Sequence, residues 1–321
     1  MNVFIDAGIE HIRVTTSDSS PDTHTEADAG LVIKNNDDIR MLFEQSGVDG
    51  LLQRASNNGN GGIYITGKLA DVVKKVLQRG EMILPAAVVW SAAKSFLHRN
   101  TELETVGIID LSASGYMVIC IDEQEALKDD LLIVNPRCGA GTGVNLSRVM
   151  EKLDIDREDV DRLLSEYLGD AGAQKRDQIP IRSDRCGVFS SSATVSDKNQ
   201  GIPLAHALAV TMKSEVMKPC GKMAFGVDRV YLTGGVFRWQ YARDCAHDIL
   251  KAKGVKEIVY DVDQSLMMTG MAYLVARVGQ DNFRKQDAAR LRNPDTLLEL
   301  PSFKVLKEKY EQAGLYERLP D

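Results

Sequence analysis

Two cysteines stand in matching surroundings and are the residues best suited to hold a soft metal. The tripeptide Arg-Cys-Gly occurs at 137–139 and again at 185–187, which places Cys138 and Cys186 48 residues apart. A glycine after a thiolate ligand lets backbone N–H groups approach the sulfur, and the adjacent arginine offsets the negative charge of a thiolate-bound cluster. Cys138 also precedes a predicted helix, whose N-terminal amides favour an anion.

Two thiolates do not complete a four-thiolate site within one chain. A two-fold symmetric dimer supplies four, and closed two-fold dimers are the commonest oligomers. Zinc bound by four cysteines is the chemical alternative, and a third reading is that both residues are small buried hydrophobes beside glycine turns. Cys120, Cys220 and Cys245 lack the Arg-Cys-Gly context, and we predict that they are structural.

Two aspartates each end a short apolar run and precede a tight turn. Asp6 is followed closely by Gly8, and Asp110 is followed by the turn residues Ser112, Ser114 and Gly115. Such turns aim backbone amides at phosphate oxygens, while carboxylates hold Mg²⁺ through water. The two segments therefore predict the two halves of a nucleotide-phosphate site.

Two further glycine-rich turns would complete such a site. The run Gly139-Ala140-Gly141-Thr142-Gly143 opens a predicted helix, and Leu232-Thr233-Gly234-Gly235-Val236 ends a predicted strand. The first could cradle phosphates, and the paired glycines of the second would let a flat adenine ring approach the backbone. Taken singly, each turn is an ordinary one; their order along the chain gives the pattern its weight.

The elements around these turns predict an α/β fold. Apolar strand-like runs alternate with segments of helical periodicity, and the stretch 171–182 is polar and predicted to be a loop. The plan of strand, aspartate, turn and returning strand occurs twice, with Asp6 and Asp110 104 residues apart, which suggests an internal duplication. We expect lobe I over 1–101, lobe II over 102–282, and a charged helical appendage over 283–321.

Composition narrows the class of partner. The 321 residues carry a net charge of −7 and show no basic stripe interleaved with aromatics, which argues against nucleic acid as the main partner. No export signal or membrane-spanning run is evident. An odd set of 5 scattered cysteines suits a reducing compartment, so we expect a cytoplasmic protein.

The motif order NPRCGAGTG, DRCGVF and VYLTGGVF resembles the ATPase family that activates 2-hydroxyacyl-CoA dehydratases and supplies the ATPase subunits of benzoyl-CoA reductases. The resemblance covers roughly residues 2–280. It implies two ribonuclease-H-like lobes of the actin, sugar kinase and heat-shock ATPase superfamily, with Mg²⁺ and ATP between them. It also implies a homodimer bridged by a [4Fe–4S] cluster on Cys138 and Cys186 of each subunit. Members of that family use ATP to pass a low-potential electron to an acyl-CoA dehydratase or reductase.

The chain departs from the family pattern at the phosphate loops. The family motif Asp-x-Gly-Ser-Thr-x-x-Lys is here DAGIEHIR, so Ile9 and Glu10 replace hydroxyl donors and Arg13 stands at the lysine position as a candidate cofactor-binding residue. The second motif, Asp-x-Gly-Gly-Gln-Asp, is here DLSASG. The cluster cysteines are thus kept while the nucleotide-handling residues differ.

Three hypotheses follow from this combination. The first is an ATP-binding redox activator with Asp6 and Asp110 as the catalytic carboxylates. The second is a cluster- or zinc-bridged interaction domain without ATPase activity, motivated by the altered loops. The third is a kinase-like phosphotransferase, which accounts for the nucleotide turns but gives the matched cysteines no purpose.

Overall fold

The computed structural model describes residues 1–9, 11–17, 25–28, 36–45, 47–57, 61–134, 142–182 and 187–278. Cys138, Gly139, Gly141 and Cys186 lie outside the described residues, as does the predicted appendage over 283–321.

The described residues form strands and helices in a mixed order along the chain. The strands are β1 (Val3–Ala7), β2 (His11–Thr16), β3 (Thr25–Asp28), β4 (Ile63–Thr66), β5 (Glu81–Met82), β6 (Thr105–Ser112), β7 (Gly115–Asp122), β8 (Leu127–Val134), β9 (Arg229–Thr233) and β10 (Glu257–Tyr260). The α-helices are α1 (Asn36–Gln45), α2 (Val48–Asn57), α3 (Ala70–Leu77), α4 (Pro85–Arg99), α5 (Thr142–Leu153), α6 (Val160–Leu168), α7 (Gly172–Gln178), α8 (Gly187–Asn199), α9 (Leu204–Cys220), α10 (Gln240–Ala252) and α11 (Leu266–Val278).

The chain divides into two compact units. The first contains Met1–Glu102, Gln124–Asp130 and the described residues from Asp263 onward, and the second contains Leu103–Glu123 and Leu131–Val262. The sequence analysis assigned 102–282 to one lobe, whereas the structure groups α11 with the first unit. The physical reason is that α11 packs along α4 and against β1.

The sheet of the first unit has the order β3-β2-β1-β4-β5. The β1–β2 and β2–β3 pairs are antiparallel, whereas the β1–β4 and β4–β5 pairs are parallel. Alternation divides β1 between two faces, since Val3, Ile5 and Ala7 enter a core with α1, α2 and α3. Phe4 and Asp6 therefore lie on the opposite face.

The sheet of the second unit repeats this plan. Its order is β10-β9-β6-β7-β8, with β6 antiparallel to β7 and parallel to β9. Ile109 and Leu111 of β6 pack in a core with Leu146 of α5, Leu208 of α9 and Leu250 of α10. The central strand of each sheet thus carries one of the two predicted aspartates, so the structure bears out the duplication that the spacing suggested.

One predicted loop is a helix. The polar stretch 171–182 contains α7, and Arg176 of this helix is 2.6 Å from Asp248 and 3.1 Å from Asp244 of α10. These contacts hold a segment that shows no amphipathic pattern of its own. The sequence prediction was wrong here because tertiary ion pairs, not local periodicity, fix the segment.

Candidate functional site

In the second unit, the β6–β7 hairpin forms the turn that the sequence predicted. Ser112 pairs with Gly115 across the ladder, which leaves Ala113 and Ser114 as the two turn residues. The hydroxyl oxygen of Ser112 lies 3.4 Å from both the hydroxyl oxygen of Ser114 and the carbonyl oxygen of Gly115. Both hydroxyls therefore lie at the end of β6, just beyond Asp110.

The N-terminus of α5 packs directly on this turn. A methyl group at Gly143 would lie 2.6 Å from Cα of Ala113, and the backbone N–H of Val144 donates to the Ala113 carbonyl at 3.3 Å. Only glycine permits this approach of the two backbones. The structure thus brings Gly143 against the turn at Ser112–Ser114, as a shared phosphate cradle requires.

Gly234, at the end of the neighbouring strand β9, lies directly against the Asp110 side chain. This glycine has φ +101°, and a methyl group there would lie 2.4 Å from the Leu111 carbonyl oxygen and 2.7 Å from a carboxylate oxygen of Asp110. Gly235 then begins a short 3-10 helix, Gly235–Arg238. The predicted residues Asp110, Ser112, Ser114, Gly115, Gly143 and Gly234 therefore converge at one edge of the second sheet.

This arrangement suits an anionic ligand carried with a cation. Hydroxyls at the hairpin and the first-turn amides of α5 other than that of Val144 are donors for phosphate oxygens. Asp110 supplies a carboxylate two residues before the end of β6, and carboxylates commonly bind Mg²⁺ together with several waters.

A buried polar cluster behind the turn was not predicted from the sequence. In the first turn of α5, the Asn145 amide donates to the Glu215 carboxylate at 2.9 Å, and Lys218 lies 2.7 Å from both of its oxygens. Glu215 is 1% exposed, and burial together with its charge raises the pKa of nearby Tyr116. A Glu-x-x-Lys pair in a helix is too common a pattern to have marked this cluster.

In the first unit, Asp6 faces a cation across the β1–β2 ladder. Asp6 pairs in register with Arg13, and their side chains approach to 3.6 Å while each residue is 8% exposed. Burial raises the pKa of Asp6, although Arg13 acts in the opposite direction. The turn after β1 is tight, because a methyl group at Gly8 would lie 2.9 Å from the His11 carbonyl oxygen.

A Thr-Gly pair follows the same pattern in both units: the pair at the end of β4 in the first unit is equivalent to the pair at the end of β9 in the second. Thr66 is the register partner of Asp6, as Thr233 is of Asp110. The following glycine, Gly67, has φ +98°, and a methyl group there would lie 2.5 Å from the Ala7 carbonyl oxygen. The sequence analysis did not identify this equivalence, because only strand register reveals it.

The remaining predicted residues are only partly covered by the structure. The backbone of Thr142 begins α5, whereas Gly139, Gly141, Cys138 and Cys186 lie outside the described residues. Within the described part of the chain, no group of three or more His, Cys, Asp and Glu side chains could hold a metal ion. Cys120, Cys220 and Cys245 are buried, and burial raises the pKa of Cys245 to about 12.

Solved structures share this fold over nearly their whole length. Component A of the (R)-2-hydroxyglutaryl-CoA dehydratase of Acidaminococcus fermentans superposes with a TM-score of 0.58 at 17% identity, covering 88% of this chain and 99% of that one. The activator of the 2-hydroxyisocaproyl-CoA dehydratase from Clostridium difficile, solved with bound ADPNP, gives 0.58 at 14% identity, covering 89% and 98%. The shared fold confirms the predicted α/β class, with two units that have the same strand order.

Comparison with known protein sequences finds a match over only part of the chain. An uncharacterized protein of Methanocaldococcus jannaschii is 28% identical over 100 residues, which is 31% of this chain and 36% of that relative. The match therefore spans about a third of the relative's length. No family model matches the chain. No helix in the described ranges is long and apolar enough to cross a bilayer.

Proposed function

We propose that this chain is an ATP-binding activator of the type that serves 2-hydroxyacyl-CoA dehydratases. The observation that carries the proposal is the convergence of Asp110, the Ser112–Gly115 turn, Gly143 and Gly234 in the second unit. The same Asp and Thr-Gly arrangement at Asp6 and Gly67 in the first unit supports it. The shared fold with two dehydratase activators adds support from outside the chain.

Each predicted residue takes a role in this proposal. Asp110 and Asp6 hold Mg²⁺ and water, while Ser112, Ser114 and the amides around Gly143 bind phosphate oxygens. Gly139, Gly141 and Thr142 extend the cradle on the N-terminal side of α5. Gly234 and Gly235 leave space for the adenosine, and Arg13 provides positive charge beside Asp6.

The redox part of the proposal rests on Cys138 and Cys186. Four thiolates from two protomers would hold one [4Fe–4S] cluster, which supplies one electron of low potential when reduced. We place the homodimer in the reducing cytoplasm, and we infer that an acyl-CoA dehydratase or reductase receives the electron. Nucleotide binding would regulate that transfer by altering the protein around the cluster.

Binding of Mg²⁺-ATP to the Asp110→Ala variant tests the nucleotide site. We expect Asp110→Ala to weaken Mg²⁺-ATP binding at least about tenfold by calorimetry, since hydrogen bonds to a charged group contribute roughly 1.5–3 kcal/mol. Asp170→Ala, at an exposed position in the same unit, is the matched control and should bind as the parent does. Equal affinity of the two variants would contradict the assigned site.

A second candidate is an interaction domain that keeps the cluster but does not hydrolyse ATP. The Asp6–Arg13 pair favours it, because an aspartate that is buried and engaged by arginine is less available to water and Mg²⁺. Release of phosphate from ATP decides between the candidates. Turnover that disappears in Asp110→Ala excludes the interaction domain, whereas nucleotide binding without turnover supports it.

A further inference from the structure

A half-open cleft of about 370 Å³ lies within the first unit, away from the predicted phosphate turn. It lies beside Phe4, at the start of β1, whereas Asp6 and Gly8 lie at the other end of that strand. The remaining walls come from the end of β2, the end of α4 and one side of α11. A pocket of this volume falls within the range that binds small organic ligands.

The apolar wall of the cleft consists of a packed aromatic pair and a row of small side chains on α11. Phe4 stacks on Tyr64 with ring centroids 5.8 Å apart, and both residues are nearly fully buried. On α11, Ala272 and Ala276 are one turn apart and exposed, so their small side chains leave a groove beside Met268.

Tyr273 forms a fixed part of the same wall. Its hydroxyl lies 2.8 Å from Nδ1 of His98, and the Arg277 guanidinium lies 4.9 Å from its ring centroid. His98 is held in turn by Glu125, whose carboxylate is 2.5 Å from Nε2. The wall is therefore ordered before any ligand arrives, which lowers the entropic cost of binding.

The polar part of the cleft carries positive charge. Arg99 lies at the end of α4, is exposed, and forms no ion pair or hydrogen bond with any residue that the structure describes. Hydroxyls from Thr15, Ser17 and Thr269 line the cleft, and none of the described residues that line it carries a carboxylate. A guanidinium beside hydroxyls recognises a carboxylate, because its fork of donors matches the two carboxylate oxygens.

We propose that this cleft binds a small amphipathic carboxylate, with the carboxylate on Arg99 and the apolar portion between Phe4 and the Ala272–Ala276 groove. The site is separate from the nucleotide residues and does not depend on their function. An apolar tail matches the wall of Phe4, Met268 and the two alanines, while a larger anion such as a nucleotide would leave its polar groups against that wall.

Octanoate, used below the concentration at which it forms micelles, is the probe, and 1-octanol is its neutral counterpart. The full-length protein should bind octanoate saturably by calorimetry and bind 1-octanol at least about tenfold more weakly, the factor expected for a charge-assisted contact. Arg99→Gln should lower octanoate affinity by a similar factor and leave 1-octanol affinity unchanged. Ala272→Phe, which fills the groove, should abolish binding of both.

Arg40→Gln serves as the control for Arg99→Gln, because it makes the same substitution at an exposed arginine that does not line the cleft. Arg40 lies on α1, whose residues Ile39 and Leu42 pack on the face of the sheet opposite Phe4. It should bind octanoate as the parent does. Absence of saturable octanoate binding overturns the proposal, and so does octanoate binding that is indifferent to both Arg99→Gln and Ala272→Phe. Mg²⁺-ATP affinity, measured in the same variants, should be unchanged and reports separately on the nucleotide site.

Discussion

At the scale of single residues, the two positive-φ glycines after β4 and β9 define the candidate site more sharply than the aspartates do. Gly67 and Gly234 have φ +98° and +101°, and each faces the carbonyl of the residue that follows an aspartate. Aspartates at strand ends are common, whereas a glycine forced into this conformation against a neighbouring strand records a specific close approach.

We expect Gly234→Ala to lower the free energy of unfolding by about 1–3 kcal/mol, because alanine is strained at this φ and its methyl group would meet the Leu111 carbonyl. Chemical denaturation measures the change. Gly172→Ala, at φ −30° in α7 with no atom within 4 Å of the added methyl group, should leave stability equal or slightly higher. Equal stability of Gly234→Ala and the parent would show that the turn relaxes freely.

The Asp6–Arg13 pair gives a prediction about pH. Burial raises the folded-state pKa of Asp6. Above the ordinary aspartate pKa of about 4, the native state therefore binds more protons at this residue than the unfolded state does. The contribution of Asp6 to the free energy of unfolding thus decreases as pH rises. Arg13→Met removes the cation that lowers this pKa, so the pKa of Asp6 should rise further. We therefore expect the free energy of unfolding to decrease more between about pH 4 and about pH 7 in this variant than in the parent.

Adding Asp6→Asn to Arg13→Met removes the titrating group and serves as the control for that experiment. The double variant should lose the extra pH dependence in urea denaturation across the same range. A single variant whose pH dependence matches that of the parent would show that Arg13 has little influence on Asp6.

At the scale of elements, one carboxylate, that of Asp228, joins the starts of two strands. The carboxylate of Asp228, just before β9, accepts hydrogen bonds from the backbone N–H groups of Glu104 and Thr105 at 2.9 Å each. It also accepts from the Thr105 hydroxyl at 3.0 Å and lies 2.6 Å from the ammonium of Lys256. Asp228 therefore holds the start of β6 beside the start of β9, two strands that carry the site.

Asp228→Ala should destabilise the protein by about 2 kcal/mol or more, since it leaves the N–H groups at the start of β6 without their acceptor. Burial opposes ionisation, but Lys256 and the N–H donors outweigh it and lower the pKa of Asp228. The contribution of ionised Asp228 to the free energy of unfolding should thus be fully present above the unfolded-state pKa and be lost as pH falls through the folded-state pKa.

Thermal unfolding at pH 7 and at acidic pH measures this effect. Asp156→Ala, at an exposed position whose side chain makes no capping hydrogen bond, is the control and should match the parent. A difference between Asp228→Ala and the parent that stays constant down to the lowest pH would contradict the account.

Elements also show where sequence reasoning succeeds and fails. The strands at Asp6 and Asp110 were predictable, because an apolar run, an acid and a glycine are all local signals. The helix α7 was missed, because Arg176 holds it through contacts with α10, about seventy residues away. The placement of α11 was missed for a related reason, since its packing against α4 joins distant parts of the chain.

At the scale of the whole molecule, the fold is one unit plan used twice. Both sheets have the same strand order, and the equivalent central strands carry Asp6 and Asp110. The sequence predicted this duplication from the spacing of the aspartates. It did not reveal the cluster of Asn145, Glu215 and Lys218, because that cluster exists only once α5 and α9 pack together.

The cysteines make a prediction at this scale about assembly. After anaerobic reconstitution, we expect about two irons per chain and a homodimer, since one [4Fe–4S] cluster would serve two protomers. Cys138→Ser and Cys186→Ser should each abolish iron retention and weaken the dimer. Cys245→Ala, which removes a buried thiol outside the Arg-Cys-Gly context, should retain iron; loss of iron from all three variants alike would point to misfolding instead.

The most direct test is electron paramagnetic resonance of the reconstituted, dithionite-reduced protein, recorded with and without Mg²⁺-ATP. The account predicts the signal of a reduced [4Fe–4S] cluster that changes when Mg²⁺-ATP is added, and an Asp110→Ala variant that keeps the signal but loses the nucleotide-induced change. A reconstituted protein with no iron signal, or a signal indifferent to nucleotide in the parent protein, would contradict the proposed coupling of ATP to a shared cluster.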